Sequence, residues 1–300
     1  MDRYLHGILP VLQIPFDAAD EIDEHSLRRE VDFCIAAGAL GLVVPALASE
    51  FIVLTDQERQ WLVEVVANQI GSRVPLVVGI SGTSTKAAVA FGRHARGVGA
   101  AAVMAVPPYV RHPDEEGVIA FYSALAVATD LSLVVQNAAP PFGMSLSDAL
   151  LDRLLKTIAH IHYVKEERPP AGHHISRLLA GAHPTLRGVF GGAGGLYLLG
   201  ELARGAVGCM PSAAFPDVLA AIYKAFTSRD HEGARVLYHR LLPALNLEMS
   251  VQMALSKEVL RRRGVFTTVK MRDPQFPLLD RGDQAELDAL WPGLRTLFTS

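Results

Sequence analysis

The sequence predicts an α/β fold, a single (β/α)8 TIM barrel with a C-terminal helical extension. Three observations carry this. Short apolar runs of strand length recur through the first two thirds of the chain, helical periodicity fills the intervals, and the pattern after about Leu219 is helical throughout. The runs are Ile8 to Leu12, Leu42 to Ala46, Pro75 to Ile80, Ala101 to Val106, Leu131 to Gln136, Ile161 to Val164, Leu186 to Phe190 and Ala206 to Met210. Their apolar character is continuous rather than alternating, as expected of strands covered on both faces of a parallel sheet. Strand and helix therefore alternate eight times, in about the length a (β/α)8 barrel requires.

Taken in order, the intervening segments carry recognisable helix signals. Ser26 to Ala37 gathers Leu27, Val31, Phe33, Cys34 and Ile35 on one broad stripe. Thr55-Asp-Gln-Glu58 is a capping box opening a helix with Trp61, Leu62, Val65 and Val66, and Ser84 and Ser145 are the expected caps of later helices. A doubly wound sheet is the competing architecture. It would need a Gly-x-Gly-x-x-Gly turn after the first strand, where Ile14-Pro-Phe-Asp17 stands instead. Glycines cluster later, from Gly191 to Gly195, where many barrels bind phosphate; with no Lys or Arg in that loop, a tight turn is the favoured reading. Beyond the barrel, residues 1–218, the candidate helices are Leu219 to Ser228, Glu232 to Leu247, Ser250 to Arg263 and Asp283 to Phe298. No Gly/Ser/Pro linker precedes them, so residues 219–300 are expected to pack on the barrel and to favour a homo-oligomer, a dimer or tetramer.

Composition narrows the function. The net charge is -3, from 28 basic and 31 acidic residues that are interspersed, so neither nucleic acid nor an anionic membrane is an expected partner. Cys34 and Cys209 each lie in an apolar segment and read as buried thiols in a reducing compartment. Met1 to His6 is too short and polar for a signal peptide, and no apolar stretch reaches membrane-spanning length. A cytoplasmic, soluble enzyme is the expectation.

Barrel enzymes carry their chemistry at the carboxyl ends of strands. Of six lysines, Lys86, Lys156, Lys224 and Lys257 fall on predicted helices and Lys270 in a Pro-containing stretch; Lys165 alone terminates an apolar strand, Ile161-His-Tyr-Val-Lys165. An amine there is walled by the barrel, its charged form loses solvation and the nucleophilic free base becomes accessible. Position alone leaves a lysine reaching solvent equally open. His160, His162, His173 and His174 invite a metal reading, but His160 and His162 share the strand face opposite Lys165 and no third ligand follows at suitable spacing. No metal is expected.

The segments Gly7-Ile-Leu-Pro-Val-Leu-Gln-Ile-Pro-Phe16, Ala37-Gly-Ala-Leu-Gly41, Pro75-Leu-Val-Val-Gly79, Met104-Ala-Val-Pro-Pro-Tyr109, Tyr163-Val-Lys-Glu166 and Gly205-Ala-Val-Gly208 resemble, in order and spacing, the dihydrodipicolinate synthase and N-acetylneuraminate lyase superfamily. The resemblance runs from about residue 7 to residue 265. It implies a class I lyase, with no cofactor, whose Lys165 forms a Schiff base with a small 2-oxo acid. It also places Tyr109 beside the imine, as a proton donor or as a ring packed on the rim. Met210 and Ser212, after the eighth strand, are expected on the pocket floor, Met210 otherwise being core, and Gly191 is a further candidate substrate contact. Glu50 and Glu166 lie nearby, but strand alternation turns Glu166 away from Lys165 and toward a structural ion pair.

Departures from the family pattern bear on the reaction. Ala46-Leu-Ala-Ser-Glu50 replaces the usual Gly-Thr-Thr-Gly-Glu, leaving the backbone N–H groups of Leu47 and Ala48 to bind a carboxylate and Ser49 to offer a hydroxyl. Gln136 stands where the family has an acid/base tyrosine, followed by Asn137-Ala-Ala-Pro140; an amide holds a hydroxyl or water but does not exchange protons near neutrality. Pro140-Pro-Phe-Gly143 lacks the arginine with which synthases grip a second carboxylate. These features, with Ser49-Glu-Phe51 and Leu242-Pro-Ala-Leu-Asn246, are closer to the sugar-acid branch, the L-2-keto-3-deoxyarabonate dehydratase-like one. Dehydration, aldol cleavage and synthase-type condensation all remain open on one covalent platform. The rivals are a silent barrel that merely binds a 2-oxo acid, and a phosphate-substrate barrel using Gly191 to Gly195.

Overall fold

The computed structural model describes residues 4–138, 140, 143–273 and 278–299. Its strands are β1 Gly7–Ile8, β2 Leu42–Val44, β3 Leu76–Gly79, β4 Ala102–Ala105, β5 Ser132–Asn137, β6 Ile161–Glu166, β7 Gly188–Gly191 and β8 Gly208–Cys209. All ladders are parallel, in the order β1-β8-β7-β6-β5-β4-β3-β2. The two edges then meet. Leu12 N–H donates to the Val43 carbonyl and Val43 N–H to the Pro10 carbonyl, each at 2.9 Å, while Val11 bridges both Val43 and Ser212. The first run is expected to be a strand to Leu12, yet its regular ladder ends at Ile8; Pro10 has no N–H to continue it.

Inside the barrel, Val11, Val43, Val77, Met104, Tyr163 and Phe190 form a closed apolar filling. Tyr163 seals the lower end, its hydroxyl accepting from Leu5 N–H at 2.9 Å. The alternate positions Val44, Val78, Val103, Val135, Val164 and Val189 face the helices, which explains the unbroken apolar runs.

Eight helices follow the eight strands: α1 Glu24–Ala36, α2 Asp56–Ile70, α3 Thr85–Gly97, α4 Glu115–Thr129, α5 Asp148–Thr157, α6 Ala171–Ala180, α7 Leu198–Leu202 and α8 Pro216–Thr227. Both bonds of the Thr55–Glu58 box are present, at 3.1 and 2.8 Å, and Ser84 caps α3. The cap of α5 is Ser147 rather than Ser145. The reason is local: Leu146 N–H is still held by Asn137 Oδ1 at 2.8 Å, so the chain stays tied to β5 and cannot turn into helix sooner.

The division at 218/219 falls within α8, the eighth barrel helix. After it come α9 His231–Val251, α10 Met253–Arg262 and α11 Arg281–Arg295, which share an apolar core with Leu219 and Ile222 of α8. Two buried charge clusters anchor them. Lys257 of α10 pairs with Glu50, whose other oxygen accepts the backbone N–H groups of Arg272 and Asp273, both at 2.9 Å. Arg263 grips Asp217 with two bonds, 2.9 and 2.6 Å, between the rings of Phe298 and Phe33. Cys34 and Cys209 are buried free thiols. Among the described residues, no helix is long and apolar enough to cross a membrane.

Candidate active site

A cavity of about 310 Å³ opens at the carboxyl end of the barrel, a volume at the small end of the range for small-molecule sites. Lys165 reaches it from β6, with 5 % of its surface exposed. Its amine does not meet bare apolar wall, as the sequence suggests. Two residues further along, on the same face of the chain, Glu167 places Oε1 3.2 Å from Lys165 Nζ. The second oxygen of Glu167 accepts from Gln136 Nε2 at 2.8 Å, and Ala193 N–H donates to the first at 3.4 Å. Lys165, Glu167 and Gln136 are thus one hydrogen-bonded unit. The amide of Gln136, paired in register with Lys165 across β5 and β6, fixes the carboxylate rather than standing as an independent acid.

The strand-two loop supplies another wall. Leu47 and Ala48 line the cavity at the start of a short 3₁₀ turn, Leu47–Ser49, whose leading N–H groups the turn itself leaves without partners. Met210 and Ser212 line it after β8. The helical extension adds Glu248, Gln252 and Ser256.

Other expected site residues stand outside this lining. Ser49 is fully buried, its hydroxyl donating to the Leu12 carbonyl at 2.6 Å and accepting from Ala46 N–H. Asn137 faces the helices, bonding Leu146 and Glu166. Tyr109 packs edge-on against Phe51 at 5.6 Å between ring centres. Gly191 sits in β7, its carbonyl accepting from Met210 N–H at 3.0 Å. Pro141 and Phe142 of the Pro140 to Gly143 stretch lie outside the described residues. Glu166 does turn outward, but its oxygens are met by Asn137 Nδ2 and Arg168 N–H, both at 2.8 Å; burial, against those bonds, raises it to about 7. Glu50 belongs to the anchor described above. His160 pairs with Asp130, His162 with Ser132 and His174 with Asp148, all away from the cavity.

The glycine run has an explanation the sequence did not supply. A side chain at Gly191 would overlap the carboxyl of Glu201, and one at Gly192 would overlap Glu167. At Gly194 a Cβ would lie 3.2 Å from Glu248 Oε2. Three carboxyls are packed against three glycines, which makes the loop a poor host for phosphate. Glu201 is 1 % exposed, and neither of its oxygens has a hydrogen-bond partner among the described residues. Burial, reinforced by the nearby charge of Glu167 and opposed by Lys165, lifts it to about 8. Glu201 and Glu167 also border a second cavity of about 420 Å³ outside the barrel wall.

Sequence reasoning missed Glu167, Glu201 and Glu248. For Glu167 the signal was available, since residues two apart on a strand share a face. The other two depend on how α7 and α9 dock.

The comparisons with known proteins identify the family and the fold. The family model for the dihydrodipicolinate synthetase family matches residues 4–290. The chain is 34% identical over 289 residues to an L-2-keto-3-deoxyarabonate dehydratase of Azospirillum brasilense, covering 95% of this chain and 93% of that one. It is 29% identical to a 4-hydroxy-tetrahydrodipicolinate synthase of Methanopyrus kandleri, with 81% of each covered. A crystal structure of dihydrodipicolinate synthase from Rhodopseudomonas palustris superposes with a TM-score of 0.89 at 24% identity, over 97% of this chain and 98% of that one, and shares the fold. Fold, lysine-centred pocket and family match agree on a Schiff-base-forming lyase, and the chain belongs to the dihydrodipicolinate synthetase family.

Proposed function

We propose that the chain dehydrates a 2-keto-3-deoxy sugar acid of five or six carbons through an imine on Lys165. The observation that carries this reading is the Lys165–Glu167–Gln136 unit, which couples a nucleophile to a base within one hydrogen-bonded cluster. Glu167 takes a proton from the Lys165 ammonium, and the freed amine attacks the C2 ketone. The carbinolamine then leaves as imine plus water, the proton for that water returning from Glu167. With C2 now an electron sink, Glu167 removes a C3 proton and an enamine forms. The substrate carboxylate rests on the N–H groups of Leu47 and Ala48, and Ser212 offers a hydroxyl partner to the polyol.

Among the described residues lining the cavity, Lys165 is the one cation, and it is engaged with Glu167. That supports a substrate with one carboxylate and neutral hydroxyls over a condensation partner bearing a second anion. The name of the Azospirillum relative supports the same choice. A homo-oligomer, dimer or tetramer, belongs to the reading as well; Ile52 and Val110, next to the Phe51–Tyr109 contact, expose more than half of their surface.

Borohydride reduction in the presence of pyruvate, and separately of 2-keto-3-deoxy-L-arabonate, tests the imine by intact mass. One adduct per chain, mapped to Lys165, is expected. No adduct with either acid, or an adduct elsewhere, refutes it. Efficient condensation of pyruvate with aspartate semialdehyde, with no consumption of keto-deoxy acids, would leave the lysine and remove the dehydratase.

A further inference from the structure

Elimination needs a second proton transfer, because hydroxide is a poor leaving group and the C4 oxygen must depart as water. Glu167 stands at the imine end of the cavity. Another carboxyl faces the same cavity from a different part of the fold. We propose that Glu248, carried by α9 of the helical extension, is the acid that protonates the C4 hydroxyl as it leaves. This inference rests on the imine chemistry proposed above.

The geometry is specific. Glu248 lines the cavity together with Lys165 and Glu167, and is 5 % exposed. Its Oε1 accepts from Ser256 Oγ at 2.7 Å, whereas Oε2 has no hydrogen-bond partner among the described residues. Ionised, that oxygen is a buried half of a carboxylate that has no cation, only the Ser212 and Ser256 hydroxyls acting on the group, a costly arrangement. Protonated, it becomes a donor in want of an acceptor, which a substrate hydroxyl supplies. Burial pushes the carboxyl above the ordinary glutamate range, against the pull of the Ser212 and Ser256 hydroxyls.

Neighbouring loop residues set the spacing. Ala193 donates its N–H to Glu167, and Gly194, its neighbour, lies against Glu248 Oε2. The two carboxyls are thus held against adjacent residues of one loop and border one cavity. The division of labour follows from environment: Glu167 is paired with an ammonium and serves as base, and Glu248 has no cation and serves as acid.

In the step itself, the enamine nitrogen pair re-forms the C=N bond, the C2=C3 π bond breaks and its pair forms C3=C4, and the C4–O bond breaks with its pair going to oxygen. The Glu248 proton joins that oxygen, and water leaves. The enzyme-bound product is an unsaturated iminium, Glu248 is left as carboxylate, and solvent returns its proton before the next turnover.

Leaving-group dependence separates this role from a structural one. Fluoride departs without a proton, so wild type and Glu248→Gln are compared on 2-keto-3-deoxy-L-arabonate and on its counterpart with fluorine in place of the C4 hydroxyl. Glu248→Gln should slow water loss about 100-fold or more while fluoride release stays within about threefold and deuterium exchange at C3 persists. Equal losses on both leaving groups, or no loss on either, overturn the proposal. If Glu248→Gln fails to fold, Ser256→Ala gives the same comparison in weaker form: slower hydroxyl loss with unchanged fluoride release supports it, and parallel slowing overturns it. Wild type that traps no imine removes the underlying reading and this inference together. Trapping and C3 exchange without leaving-group selectivity remove this inference alone.

Discussion

Two lysines are buried almost equally in this molecule, one in the barrel mouth and one where the extension meets the strand-two loop. Lys165 is 5 % exposed and Lys257 1 %. Each has a carboxylate partner. What separates them is how many of their three donors are used. Lys257 bonds Glu50 and the Lys270 carbonyl and lies 4.5 Å from the centre of the Phe16 ring. Lys165 has Glu167 at 3.2 Å and an open cavity. A saturated amine holds a structure together; an amine with one partner and empty space has somewhere to react. Burial by itself does not tell the two apart, and the arrangement of acceptors does.

That contrast can be broken experimentally. Lys165→Ala should bring turnover to background without loss of fold, since a strand-end side chain facing a cavity makes few core contacts. Dehydration assays alongside thermal melts would test this, and retained activity in a folded variant would place the nucleophile elsewhere. Glu167→Gln keeps the bond geometry but removes the base, and a drop of about 10²- to 10⁴-fold in turnover is expected, with slower borohydride trapping.

The saturated lysine should fail in the opposite way. Lys257→Met leaves Glu50 charged and buried without its cation, at a cost of about 3–5 kcal/mol in denaturant unfolding, while the folded fraction still forms its imine on Lys165. Lost trapping at full stability would contradict the division drawn here.

The smallest effect concerns a carboxyl that has no cation of its own. Glu201, raised to about 8 by burial and by Glu167, holds its proton in the folded state and loses it in the unfolded state near the ordinary glutamate value. Folding therefore binds a proton between those values, and stability falls as pH rises from about 4.3 toward 8. Glu201→Gln should flatten that fall, gaining on wild type at pH 8 and far less at pH 5. Parallel stability–pH curves for the two proteins would show that the carboxyl titrates normally.

Much of the barrel was legible because its determinants are local. Continuous apolar runs located all eight strands, and Pro10 explains the one that ends early. The lysine was legible for the same reason, as the one lysine terminating an apolar run. Glu167 was within reach: the alternation that turns Glu166 away from Lys165, carried one residue further, puts this carboxylate on the same face as the lysine. Glu248 and Glu201 were not, since nothing local in α9 or α7 tells where those helices dock. Asn137 illustrates the reverse case. It directly follows Gln136, but the strand period sends its side chain to Leu146 and Glu166 instead of the pocket.

The Glu50 anchor also bears on how the protein comes into being. Glu50 and Lys257 are separated by 207 positions, and β1 finds its neighbour only when β8 has emerged. At synthesis rates of about 5–20 residues per second, roughly 10 to 40 seconds pass between the two partners leaving the ribosome. Throughout that interval Glu50 is a carboxylate without its cation, and until β8 emerges the nascent barrel has an unpaired edge as well. The pocket, too, lacks its α9 wall until residue 251 has emerged, so a chain grown only through β6 has the lysine but not yet the enclosure that directs its chemistry.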